Sequence, residues 1–392
     1  MRWLAVVLLA LAPFLWWERA PDEDVEGVPA LTTDELLGNP APLDGEAASV
    51  ESSSISALSP SQADTGKAPC GSSVDLTSFY PRRLADESDA DFVARVAKHF
   101  DEQLSVLDAS QDPDHLFALS FSSHRPVEER LQLARAAAAH DRDNPLYRYH
   151  ALRLCAEVTP NCAQAGQLEA ELLRVAPDNG DALALAAANC LYRQDAQCAY
   201  RYIDRAGSAS QMTSYFGETV AYLDRALTAT GLPFAQRANL AFSLAATALP
   251  PYPTLVQFCR GEGPQPAVPR ASLIEACIAY GERTAGGADT VLARKIGAAL
   301  AKIGYEAQGH APEAASARVR ERLGDEFPSA ALAPDVDERL LQDEAFFRQY
   351  LAQLIRHGEL EAQAWGAAQM ADWRPDCEGE LTATGPDERD EP

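Results

Sequence analysis

The chain has 392 residues, of which 47% are hydrophobic and 23% charged, and this composition excludes a wholly disordered protein. Its net charge is −25, from 58 acidic and 33 basic side chains, so it offers no basic face for nucleic-acid phosphates. Alanine and leucine outnumber valine and isoleucine, which favours helices over sheets. We therefore predict an all-α fold.

The first twenty residues have the pattern of an export signal. Arg2 precedes an uncharged apolar run over residues 3–17, which matches the n- and h-regions of such signals. Neither Ala12, which is followed by proline, nor Ala20, which follows bulky and charged residues, lies in a good cleavage site. We predict an uncleaved signal anchor in residues 1–20, with a cleaved signal peptide as the alternative. The amino-terminal arginine then places the body of the protein outside the cytoplasm.

Two acidic segments flank the part of the chain that we expect to fold. Residues 21–66 contain ten acidic side chains and no basic one, and residues 375–392 contain seven acidic side chains and one arginine. Such segments hold too few large apolar residues to repay the entropy of ordering, and their like charges extend them. We predict a disordered acidic linker over residues 21–75 and an acidic tail over residues 375–392.

The periodicity of apolar residues predicts helices on both sides of a proline- and glycine-rich stretch at 250–269, which we interpret as a loop between two lobes. The predicted lobes cover residues 76–249 and 270–374. Before the loop the predicted helices include residues 89–107, 127–139, 215–230 and 233–249; after it they cover residues 270–285, 289–307, 312–327, 335–357 and 359–373. The cluster of Asp112, Asp114 and His115 is interpreted as a solvated turn.

The cysteines of the chain are spaced in a repeating pattern. There are eight, namely Cys70, Cys155, Cys162, Cys190, Cys198, Cys259, Cys277 and Cys377. Cys190 follows Cys155 by 35 residues, and Cys198 follows Cys162 by 36. An even number of cysteines behind an export signal indicates disulfides, and the lack of any C-x-x-C weakens a zinc or redox interpretation.

Residues 180–206 resemble a tetratricopeptide repeat (TPR). The matching positions on its first helix are Leu183, Ala186, Ala187 and Cys190, and those on its second are Ala199, Ile203 and Ala206. Residues 145–177 match less closely, and Leu152 stands where the family has a small residue. The resemblance implies an α-solenoid of antiparallel helix hairpins that presents a groove to a protein partner, and it implies no catalysis.

In this repeat register, Cys155–Cys162 and Cys190–Cys198 each join the two helices of a hairpin, as in cysteine-rich repeat proteins of the Sel1-like kind. The alternative is four buried free thiols. By subtraction, Cys259 would pair with Cys277 and Cys70 with Cys377, although an intermolecular bond is the alternative for the last two.

The same register turns Tyr149, Arg153, Leu191 and Tyr192 toward the concave face. Tyrosine and arginine are enriched at binding hot spots, so these four residues form the predicted protein-binding groove. The alternative is that the tyrosines only pack between helices.

No catalytic, metal-binding or cofactor-binding residue is predicted. The histidines lack i,i+4 pairing, and the sequence contains neither a Gly-x-Ser-x-Gly motif nor a P-loop. The rival hypothesis is an enzyme with a pocket between the lobes, for which the loop supplies only Arg260, Glu262 and Arg270. A third is a purely structural secreted protein.

We expect a membrane-tethered binding or assembly module. Residues 3–17 would hold it as a single-pass protein in a bacterial inner membrane, with its body in the periplasm, and a protein or peptide of the cell envelope would be its partner. If the signal is cleaved, the same body would be secreted to the periplasm.

Overall fold

The computed structural model of the protein describes residues 87–158, 162–323 and 334–370. The predicted signal segment, the acidic linker and tail, and the Cys70–Cys377 pair lie outside these residues. Within them the chain forms sixteen α-helices and no strand, which confirms the all-α prediction. A search of these same residues finds no helix with both the length and the hydropathy needed to cross a membrane.

The helices of the first half are α1 (Asp89–Leu104), α2 (Pro113–Leu119), α3 (Val127–His140), α4 (Pro145–Glu157), α5 (Ala165–Val175), α6 (Gly180–Tyr192) and α7 (Ala196–Ala206). Those of the second half are α8 (Phe216–Leu227), α9 (Phe234–Ala246), α10 (Tyr252–Arg260), α11 (Arg270–Gly287), α12 (Val291–Ala307), α13 (Pro312–Leu323), α14 (Pro334–Gln342), α15 (Glu344–His357) and α16 (Glu359–Ala368).

The same dipeptide, Asp143-Asn144 and Asp178-Asn179, directly precedes two of these helices. The Asn144 side chain accepts a hydrogen bond from the Leu146 N–H (3.0 Å) at the start of α4, and Asn179 accepts one from the Asp181 N–H (3.1 Å) at the start of α6. Asparagine is a preferred N-cap because its oxygen satisfies an N–H group that has no partner within the helix. The two helices therefore begin in the same way.

Three helix boundaries differ from the sequence prediction, and side-chain caps or prolines explain each. Asp112 caps α2 through the Asp114 N–H (2.9 Å), so the supposed solvated turn begins a helix. Residues 252–260 form α10 inside the predicted loop, because proline is tolerated in the first turn of a helix. The helix predicted over 335–357 is divided into α14 and α15 at Asp343, which caps α15 through the Phe346 N–H (2.9 Å).

Most helices pack against their neighbours in the chain, and the most extensive contact is between α11 and α12. These two helices approach closely because Gly281 and Gly297 face each other's backbones. A Cβ atom at either position would come within 2.5 Å of the opposite helix. Helices α4 and α6 also pack side by side, as do α7 and α11. Helix α8 departs from this order, since it returns to α2 and also contacts α15.

The hydrophobic cores do not follow the predicted division into lobes 76–249 and 270–374. One core joins α2–α5 and α8–α9 to the C-terminal helices α14–α16. A second core joins α6 and α7 to α10, α11 and α12. Apolar faces are buried against whichever partner lies beside them in space, so the proline-rich stretch interrupts the sequence without separating two cores.

Candidate functional site

The four residues of the predicted groove have different surroundings in the structure. Tyr149 is 1% exposed and Arg153 7% exposed, so both lie in the interior. Leu191 and the partly buried Tyr192 line an open cleft. The prediction is corrected for the first two residues, because neither lies on an open face.

Tyr149 is covered by the segment that leads into α8. The rings of Tyr149 and Tyr215 meet edge to face at 5.4 Å between centroids, an arrangement that favours aromatic packing. Burial, and then the charge of Asp181, raise the pKa of the Tyr149 hydroxyl well above its ordinary value. Tyr149 is therefore a packing residue of the interior, which was the alternative considered from the sequence.

Arg153 belongs to a partly buried network of basic and acidic groups. Its Nη1 donates to Glu157 Oε1 (2.6 Å), and Arg130 Nη1 donates to the other oxygen of that carboxylate (3.1 Å). His150 stacks on Phe121 at 4.2 Å. Burial, reinforced by the positive charges of Arg153 and Arg130, lowers the pKa of His150 well below its ordinary value. These pairings give Arg153 a structural role.

The cleft lies between the C-terminal end of α6 and helix α10 with the loop that follows it. Its volume is about 570 Å³, and its lining residues are Leu191, Tyr192, Gln194, Thr254, Gln257, Phe258, Glu262, Gly263 and Pro264. A hydrogen bond between the Tyr192 hydroxyl and Thr254 Oγ1 (3.0 Å) joins the two walls. We call this site the α6–α10 cleft.

Two disulfides adjoin lining residues of the α6–α10 cleft, since Cys190 precedes Leu191 and Cys259 follows Phe258 in the chain. Cys190–Cys198 (S–S 2.04 Å) fixes the end of α6, and Cys259–Cys277 (S–S 2.09 Å) fixes the end of α10. A third bond, Cys155–Cys162 (S–S 2.00 Å), joins α4 to the start of the next helical segment. All three agree with the predicted pairings. Cysteines bonded in this way cannot serve as thiolate ligands, although Glu169 approaches the Cys190–Cys198 sulfurs.

Of the three polar residues that the rival enzyme hypothesis relied on, only Glu262 lines the cleft. Arg270 instead donates from Nη2 to the Cys259 carbonyl (3.0 Å) and packs over Gly261. Gly261 has a φ of +87°, and a Cβ atom there would lie 2.8 Å from the guanidinium carbon, so glycine is needed at this position. Arg270 therefore holds the loop in place.

The α10 side of the cleft, formed by Thr254, Gln257 and Phe258, was not predicted from the sequence. Residues 250–269 were interpreted as a loop because of their prolines and glycines. The spacing of Tyr252, Leu255, Phe258 and Cys259, all of them buried, is that of one helical face and was the available signal.

Comparison of the chain with protein-family models, with curated proteins and with solved structures finds no match in any of the three.

Proposed function

We propose that the protein is an extracytoplasmic binding module that captures a protein segment in the α6–α10 cleft. The observation that carries this proposal is the pair of disulfides that adjoin the two walls of the cleft. A site whose walls are held covalently loses little conformational entropy when a ligand binds, so more of the contact energy appears as affinity.

The lining of the cleft favours an extended segment that combines apolar and basic residues. Tyr192 provides apolar surface above the buried side chains of Leu191 and Phe258. The side-chain amides of Gln194 and Gln257 can pair with backbone groups of a peptide. Glu262 is the only charged residue among those that line the cleft. A lysine or arginine in the ligand would complement it.

The location of the protein is part of the same proposal. Three disulfides suit an oxidising compartment, and the apolar run at residues 3–17 suits export. We place the body in the periplasm of a bacterium, tethered to the inner membrane through the acidic linker. The TPR-like solenoid arrangement of the hairpins stays a prediction from the sequence, as does a partner in the cell envelope.

Selection of displayed peptides on the oxidised protein tests the function. We expect enrichment of short sequences in which lysine or arginine is flanked by apolar residues. Tyr192→Ala should weaken the binding of the selected peptides about tenfold or more, since it removes an aromatic contact from one wall. Isothermal titration calorimetry measures the effect, and Glu262→Gln should weaken the basic peptides in particular.

Tyr200→Ala is the matched control. Tyr200 is also a partly buried tyrosine packed on the same core as Tyr192, but it does not line the cleft. This variant should bind the selected peptides with unchanged affinity. Peptides that bind Tyr192→Ala and Glu262→Gln as tightly as the unaltered protein would show that the cleft is not their site, and the proposal would be lost.

A further inference from the structure

A buried carboxylate without a counter-charge lies where four helices meet. Asp181 stands in the first turn of α6, and its side chain is 0% exposed. Neither of its carboxylate oxygens has a hydrogen-bond partner among the described residues. Buried carboxylates are normally ion-paired or hydrogen-bonded, so this one calls for an occupant that satisfies it.

Three buried tyrosine hydroxyls interact electrostatically with Asp181, one from each of three other helices: Tyr149 on α4, Tyr252 on α10 and Tyr280 on α11. All three side chains are buried, and within the described part of the protein none of their hydroxyls has a hydrogen-bond partner. Burial, followed by the charge of Asp181, raises the pKa of each hydroxyl well above its ordinary value. The three hydroxyls and the carboxylate therefore share one enclosed polar centre.

The contact between Tyr252 and Asp181 indicates how these groups are spaced. The Tyr252 hydroxyl lowers the pKa of Asp181, yet neither group meets full hydrogen-bond geometry. The Tyr252 hydroxyl therefore lies near the Asp181 carboxylate, and the lone pairs of both groups are left for another partner.

The charged surroundings of Asp181 are acidic. Burial and then the charge of Asp289, in the turn between α11 and α12, raise the pKa of Asp181 to about 8. Asp289 accepts hydrogen bonds from Thr213 Oγ1 (2.8 Å), Ser214 N (3.0 Å) and Ser214 Oγ (2.9 Å), so its oxygens are engaged. Tyr215 carries no charge and accepts a bond from Asn179 Nδ2 (3.1 Å). Glu218 and Glu359 interact with Asp289 and add to the acidic character of the region.

We propose that Asp181, Tyr149, Tyr252 and Tyr280 form an internal binding site for a monovalent alkali cation, sodium or potassium. Carboxylate and hydroxyl oxygens are the ligands that hard cations prefer. One carboxylate charge balances one monovalent cation, whereas a divalent ion would require a second carboxylate that is not already engaged. No thiolate or imidazole takes part, so a transition metal is disfavoured.

The site would also influence the α6–α10 cleft, although its existence does not depend on the proposed function. Helix α10 contributes Tyr252 to the cation site and Thr254, Gln257 and Phe258 to the cleft. A bound cation would hold the N-terminal turn of α10 against α4, α6 and α11. The wall of the cleft would then be fixed by the cation at one end of α10 and by the Cys259–Cys277 bond at the other.

Thermal melting of the whole protein at fixed ionic strength tests the site. Sodium chloride and potassium chloride are each compared with tetramethylammonium chloride, whose cation is too large for the centre, at pH 6 and at pH 9. At pH 9 at least one alkali cation should raise the melting temperature by about 2–4 °C, because a ligand that binds only the folded state stabilises it.

The effect should be smaller at pH 6, where a proton competes for the carboxylate. The folded-state pKa of Asp181 is raised to about 8, so the stability that its protonation supplies is present at low pH and is lost as pH rises through 8. In tetramethylammonium chloride the melting temperature should therefore be lower at pH 9 than at pH 6. Alkali cations should restore part of that loss.

Asp181→Asn keeps the size of the side chain, removes its charge and should abolish the cation-dependent shift. Tyr252→Phe deletes one hydroxyl and should reduce the shift, which keeps the test decisive if Asp181→Asn does not fold. The matched control is Tyr350→Phe, at a buried tyrosine of α15 outside this centre, and it should retain the full shift. Equal melting temperatures in alkali and tetramethylammonium salts at pH 9, or an undiminished shift in either site variant, would overturn the proposal.

Discussion

The two disulfide-linked segments at α4–α5 and α6–α7 begin alike and differ in what covers them. Both first helices start at an asparagine cap, and both disulfides have similar Cα–Cα distances, 5.5 Å and 5.7 Å. Helix α4 is covered near Tyr149 by the segment leading into α8, whereas the end of α6 opens into the cleft beside α10. The two first helices are therefore covered by different parts of the chain.

The two helices also differ in whether their buried charged side chains are ion-paired. On α4, Arg148 pairs with Glu171 (2.6 Å) and Arg153 with Glu157 (2.6 Å), and each glutamate is partly exposed to solvent. On α6, Asp181 has no such counter-charge. The chain neutralises its buried cations with its own carboxylates but does not neutralise this buried anion. Asp181 is therefore the residue to which the proposed cation, or a proton, would bind.

The largest expected difference between the two segments is the cost of removing a tyrosine. Tyr149→Ala should lower the free energy of unfolding by about 3–5 kcal/mol, since it removes a fully buried aromatic ring and leaves a cavity. Tyr192→Ala should cost clearly less, because its side chain is partly exposed in the cleft. Urea denaturation monitored by circular dichroism measures both values. Equal losses would contradict the assignment of one residue to the interior and the other to the cleft.

The second difference concerns the disulfides. Replacing Cys155 and Cys162, or Cys190 and Cys198, by alanine should cost about 2–3 kcal/mol in either case, since the closed loops are nearly equal in length. Only the second pair adjoins the cleft, so only its removal should weaken the binding of peptides selected on the protein. Each double variant thus serves as the control for the other. If both double variants lost peptide binding equally, the Cys190–Cys198 bond would have no specific role in holding the wall of the cleft.

The smallest expected effect is at Gln194, in the turn between α6 and α7. Its φ is 61°, in the left-handed region that glycine adopts without strain. Gln194→Gly should therefore raise the free energy of unfolding by up to about 1 kcal/mol, the usual cost of holding a side chain in that conformation. Gln308→Gly, at the right-handed cap of α12 (φ −78°), is the matched control and should lower it. Destabilisation by both changes would contradict this account of the turn.

Local patterns in the sequence predicted much of the fold but only half of the site. The recurring spacing of four cysteines predicted two disulfides, because short loops depend on residues close together in the chain, and subtraction then gave the third, Cys259–Cys277. Because residues 250–269 contain several prolines and glycines, helix α10 was not predicted, and neither was the wall of the cleft that it forms. The groove residues on α4 were misplaced because the repeat pattern carries no information about what packs on top of it.

By itself the sequence determined the all-α class, the positions of most helices and the pairing of cysteines across tight connections. These follow from periodicity, capping and loop length, which act over fewer than about twenty residues. Only the tertiary structure decided that α8 returns to α2, that α14–α16 complete the first core, and that Asp181 interacts with three tyrosines from three other helices. Those contacts join residues far apart in the chain, such as Asp114 and Arg225, which are 111 positions apart, and they arise from the matching of apolar faces in space.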